Sequence, residues 1–97
     1  MSRFLVFILL LSLAVGACTE KMPAKDSIEY FELHLNRDMD IREIQQTFGS
    51  PDNDIGSGIH IYVYDLNDGT AIWIGYTDRI LYARHMDRNQ QLLATIL

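Results

Sequence analysis

Three histidines, one cysteine and an Asp-Asn-Asp run carry most of the chemistry available to this 97-residue chain. His34, His60 and His85 offer imidazoles for metal binding or proton transfer, but they fall on three separate segments. In a meander, His60 and His85 sit on strands separated by a third, which is poor metal geometry without another ligand. Asp52-Asn53-Asp54-Ile55-Gly56-Ser57-Gly58 opens like a calcium loop. Its glycine falls one position early, however, and no Glu occupies the twelfth place, so it reads as a turn-rich loop. The glycines allow tight backbone geometry, but no Lys-Ser/Thr pair follows to make a phosphate loop. No serine has a recognisable nucleophile context. The sequence therefore points to a protein with no catalytic site, no metal and no cofactor.

Cys18 is the exception, and its chemistry is one of address. It ends a leader in which Arg3 supplies a positive start, Phe4 to Val15 an apolar run, and Val15-Gly16-Ala17 a small-residue cleavage region. The run would span roughly 18 Å as a helix against roughly 30 Å of bilayer hydrocarbon, so a spanning anchor is not expected. The residues before Cys18 resemble the bacterial lipobox, with Val15 where Leu is commonest. That resemblance implies that residues 1–17 are a signal peptide, removed when Cys18 is lipidated and becomes the first mature residue. Val15-x-Ala17 also suits the general signal peptidase, which would leave Cys18 as an unpaired thiol. Lipoprotein modification supplies two acyl chains, enough for a durable anchor. Thr19 does not resemble the Asp signal for inner-membrane retention. The expected location is the outer membrane facing the periplasm in a two-membrane cell, or the outer face of the membrane in a one-membrane cell.

Without the leader the chain has seven Lys+Arg against thirteen Asp+Glu, a formal charge of −6. That balance disfavours nucleic acid and anionic lipid headgroups, which need clustered positive charge. Residues 18–25 read as a lipidated N-terminus and short tether containing Pro23, and residues 26–97 as one small domain. With no disulfide available, packing alone must hold its core.

Asp26-Ser27-Ile28-Glu29 offers a helix start with Asp26 as cap and Glu29 three residues on, and Ile28, Phe31 and Leu35 share a helical face. Phe31, Leu33 and Leu35 also alternate as a strand would. Met39-Asp40-Ile41-Arg42-Glu43-Ile44 combines a capping box with a hydrophobic staple, and Gly49 and Pro51 close the helix that Ile41, Ile44 and Phe48 define. Ile59 to Leu66, Thr70 to Thr77 and Ile80 to Met86 are rich in β-branched and aromatic residues. Asn67-Asp68-Gly69 makes the first hairpin and Asp78-Arg79 the second. Gln90 to Leu97 suits either a fourth edge strand or a short helix. The expected fold is α+β, with one or two short N-terminal helices packed on one face of a three- to four-stranded antiparallel meander.

The string Met39-x-x-x-Glu43-Ile44-x-x-x-Phe48-Gly49-x-Pro51 is followed by Gly56-x-Gly58 and Tyr64-x-Leu66-x-Asp68-Gly69-Thr70. In that order these pieces resemble the small bacterial lipoproteins of the β-lactamase-inhibitor-protein-like superfamily, which includes the SmpA/OmlA lipoproteins. The resemblance runs roughly from Ile28 to Met86. It implies helices on one sheet face and protein binding, with no shared enzyme activity.

Register decides which side chains could meet a partner. A three-residue hairpin loop pairs Leu66 with Thr70 and places Tyr62, Tyr64, Leu66, Ile72, Ile74 and Tyr76 on the core face. A two-residue Asp68-Gly69 turn would shift the pairing and mix the faces. In the first register Ile61, Val63 and Trp73 stand together on the uncovered face. The tail or a second copy could cover them, or they could shield one another, or they could be a site for a different protein. Two function classes follow. One is a lipid-anchored, non-catalytic interaction module with an envelope protein partner, scaffold or inhibitor-like. The other is a small-ligand or signal-binding domain using the aromatic sheet and Gly56-Ser57-Gly58.

Overall fold

The computed structural model describes residues 23–97, so the leader, Cys18 and most of the tether lie outside the described residues. Helix α1 (Ile28–His34) and helix α2 (Ile41–Phe48) precede five strands: β1 (Asn53–Asp54), β2 (His60–Asp65), β3 (Ala71–Tyr76), β4 (Ile80–Met86) and β5 (Leu92–Thr95). The strands form one antiparallel sheet in sequence order, with Phe31 of α1 and Ile44 and Phe48 of α2 buried against it and Leu33 left exposed. The α+β expectation stands; the count of three to four strands is corrected to five.

Both helices begin where short polar side chains can hold orphan N–H groups. Ser27, not Asp26, caps α1, accepting from Tyr30 N at 3.3 Å. Asp26 is drawn away instead, its carbonyl accepting from Asn67 N and its carboxylate from the Asn67 amide. On α2 the capping box is complete: Glu43 N donates to Asp40 Oδ1 at 2.8 Å, and Asp40 N to Glu43 Oε1 at 3.4 Å. Gly49, at φ +87°, ends the helix in a conformation that side chains resist.

The core lies between the helices and one sheet face. Phe31, Leu35, Met39, Ile44 and Phe48 meet Tyr64, Leu66, Ile72, Ile74, Tyr76, Ile80 and Ala83, all buried. Phe31 stacks on Phe48 with centroids 4.2 Å apart, and Tyr64 leans on both rings. Tyrosine hydroxyls tie the layers where helix ends leave polar groups unpaired. Tyr64 Oη donates to Gly49 O at 2.8 Å, and Tyr76 Oη accepts from Ile41 N at 3.1 Å. Burial, with the nearby Asp52 charge second, pushes the Tyr64 hydroxyl pKa well up, so it stays a donor.

The hairpin register is the three-residue one: Tyr64 pairs with Ile72, Leu66 N donates to Thr70 O at 2.8 Å, and Gly69 takes φ +86°. The two added strands have particular causes. β1 is built from residues of poor strand propensity, and side chains hold it beside β2. Asp52 accepts from Asp65 N at 2.8 Å and Asp54 from Ile61 N at 2.9 Å. β5 follows a turn in which Gln90 adopts φ +62° while the Asp87 carboxylate accepts from Asn89 N and Gln91 N. Gln90 to Leu97 is therefore an edge strand rather than a helix.

Candidate functional site

The sheet face away from the helices carries Ile61, Val63 and Trp73, the residues singled out for partner contact. Val63 and Trp73 stand directly opposite each other on β2 and β3, and Ile61 lies across from Gly75. Trp73 in turn faces Arg84 on β4, and Ala71 faces Met86. Among the described residues, Val63 and Met86 are the buried apolar side chains that lie outside the main core, both on this face. Val63 is only 9% exposed, which makes it a support for its neighbours; Trp73 and Ile61 are half-buried and offer the reachable surface.

Two features of this face were not legible as site features beforehand. Gly75 has no room for a Cβ because the Tyr82 ring lies over it, and Arg84 is stacked on that ring with its guanidinium carbon 4.1 Å from the centroid. At the other end the β4–β5 turn folds back until Arg88 rests against Gly69. The result is a cleft of about 280 Å³ lined by Asn53, Ile55, Val63, Ala71, Trp73 and Arg88, among others. Ile61 is not part of its wall. Asp65 and Asp87 also line it, so the Arg88 guanidinium stands among carboxylates beside the apolar side chains of Ile55, Val63 and Trp73. A second cleft of about 280 Å³ lies at the junction of the helices, where Lys25, Asp26, Ser50, Asp52 and Asp65 surround Tyr64 and the edges of Phe31 and Phe48.

The histidines are dispersed. His34 lies 4.3 Å from the Tyr30 ring, with Nε2 buried and without a hydrogen-bond partner. His60 Nδ1 meets Asp54 Oδ2 at 2.7 Å, and its ring stacks on Tyr62. His85 Nε2 lies 2.7 Å from Thr70 Oγ1, which is 2.5 Å from Asp68 Oδ1. This last chain has the residue types of a nucleophile relay but the wrong proton order. An ionised carboxylate can only accept, so the single Thr70 hydroxyl proton is donated to Asp68, and His85 Nε2–H must donate to Thr70 and cannot take a proton from it. The Thr70 hydroxyl is the largest cause of a lowered Asp68 pKa, in keeping with that order. The arrangement closes a hairpin. Among the described residues no group of three or more His, Cys, Asp or Glu side chains is placed to hold a metal ion. In the Asp52–Gly58 loop the carboxylates are occupied by backbone N–H groups and His60. Cys18, the lipid-attachment candidate, falls outside the described residues.

No family model, curated protein or solved structure matches the chain.

Proposed function

We propose that this chain is a lipid-anchored lipoprotein of the cell envelope. It acts as a non-catalytic protein-interaction module, scaffold or inhibitor-like, through the sheet face away from the helices. The anchor is the lipid on Cys18. The position is the periplasmic face of the outer membrane where there are two membranes, or the outer face of the cell membrane where there is one. The leader ending at Cys18 and its likeness to a lipobox support the address. Trp73 supports the activity. The helices cover the opposite face, yet a large aromatic side chain remains half-buried at a cleft with Arg88 on its rim. Trp and Arg are the residue types most enriched at binding hot spots. At about 280 Å³ the cleft is small for an enclosed ligand pocket, and the Gly56-Ser57-Gly58 loop does not line it, which favours protein contact over a bound small molecule.

The test compares wild type, Trp73→Ala and Cys18→Ala in the full chain. Trp73→Ala should lower recovery of an envelope partner about thirtyfold, the equivalent of the roughly 2 kcal/mol of a hot spot, with a melting midpoint close to wild type. A variant that simply unfolds puts Trp73 in the stabilising core and removes the reading's main support. Cys18→Ala should lose acyl labelling and membrane retention; unchanged labelling refutes the lipid anchor.

A further inference from the structure

We propose that residues 52–55 form a releasable strap, which lifts from β2 ahead of the rest of the fold and joins the two clefts it walls. Little burial holds it. β1 has two residues, both exposed, and no side chain from residue 50 to residue 60 belongs to the buried core. Hydrogen bonds hold it instead, two of them made by side chains. Asp65 N donates to Asp52 Oδ2 at 2.8 Å and Ile61 N to Asp54 Oδ1 at 2.9 Å, with His60 Nδ1 against the other Asp54 oxygen. Two backbone bonds accompany them, Asp52 N to Val63 O at 2.8 Å and Ile55 N to Ile61 O at 3.1 Å. On exposed groups water replaces such partners at small net cost. A segment with few apolar contacts and solvent-facing bonds therefore opens well below the global unfolding free energy.

The strap is pinned on both sides. Gly49 O accepts from the Tyr64 hydroxyl at 2.8 Å, and Gly56 sits too close to the Ile59 and Ile61 backbone to leave room for a Cβ. Fixed there, the segment between can lift and reseat without drifting away. Its position gives that motion a consequence. Asp52 lines the cleft at the helix junction, Asn53 and Ile55 line the cleft beside Trp73, and Asp65 lines both. The strap is thus a wall shared by the two clefts, which meet at Asp65. Lifting it makes them one groove along the outer edge of β2 and takes the Ile55 wall away from Trp73. The inference rests on hydrogen bonding and burial, and does not depend on the role proposed for Trp73.

The experiment is residue-resolved hydrogen exchange by NMR on the full chain, under conditions where reclosing is fast. The Ile61 and Asp65 N–H groups face the strap, whereas Leu66 N–H faces β3 and donates to Thr70 O. By alternation Val63 N–H faces the strap, and Tyr62 and Tyr64 N–H face β3. Corrected for intrinsic rates, Val63 should exchange at least tenfold faster than Tyr62 and Tyr64 in the wild type, a comparison that needs no variant to fold. Asp40→Ala weakens the whole fold through the α2 cap and should leave Val63 exchange unchanged. Asp52→Ala combined with Asp54→Ala should speed Val63 at least tenfold, and Val63 reports the strap because its N–H donates to neither carboxylate. Trp73 is the one tryptophan of the chain, and its quenching by acrylamide should rise with Val63 exchange through the single and double variants. Val63 exchanging no faster than Tyr62 and Tyr64, Val63 accelerated by Asp40→Ala, or Trp73 quenching unmoved while Val63 accelerates each overturn the proposal.

Discussion

The carboxylate of Asp54 accepts N–H bonds from Gly56 at 3.1 Å and Ile61 at 2.9 Å and meets His60 Nδ1 at 2.7 Å. The His60 hydrogen bond, then the backbone donors, hold its pKa below the ordinary 3.8. A carboxyl depressed in the folded state stabilises the fold at pH above its unfolded value, and that contribution is lost as pH falls through the folded value. Wild type should therefore lose melting midpoint relative to Asp54→Asn as pH drops below about 4, by a modest amount because the pair is exposed. His60→Ala should move the Asp54 titration, followed by NMR, up towards the ordinary value. An unmoved titration would mean that the His60 bond does not form in solution. Little of this was legible from residue types. The run from Asp52 to Gly58 announces turns, and nothing in it says that two of its carboxylates will reach across to the backbone of β2.

At the scale of elements, the strongest sequence signals were those in which backbone demand and side-chain supply coincide within a few residues. The Asp40–Glu43 box and Gly49 define α2 locally, and the structure matches them. Phe48→Ala should cost about 3–5 kcal/mol, since the ring is buried and stacked on Phe31. Asp40→Ala and Ser27→Ala should each cost about 1 kcal/mol by removing a cap, and Asp26→Ala less than Ser27→Ala. Chemical denaturation ranks the four, and a midpoint unmoved by Phe48→Ala would detach α2 from the core. The start of α1 was misread because Asp26 and Ser27 are both good caps; the choice between them turns on Asn67, far along the chain, which takes Asp26 for itself. β5 was undecidable for a similar reason. Its turn uses Gln90 in a left-handed conformation, a residue type that gives no turn signal. The Val63–Trp73 pair, by contrast, follows from the hairpin length alone. The cleft beside it does not, because its rim depends on the β4–β5 turn bringing Arg88 back to Gly69.

Taken whole, the molecule is one sheet in which each strand hydrogen-bonds to the strand before it in sequence, backed by two helices that precede them all. That ordering has a consequence in time. Pairing neighbours closes short loops at little entropic cost, so the sheet can grow outward from its middle hairpins without waiting for distant contacts. β3 is paired on both sides and holds Ile72 and Ile74, both fully buried. In stopped-flow experiments Ile74→Ala should slow refolding, whereas Ala94→Gly, on the outer strand, should chiefly speed unfolding. The reverse partition would place β5 in the nucleus. A chain released from its N-terminus onward can add each strand to the last as it emerges. Of the described strands the last to arrive is then β5, which docks on a β4 that is already paired along its other side.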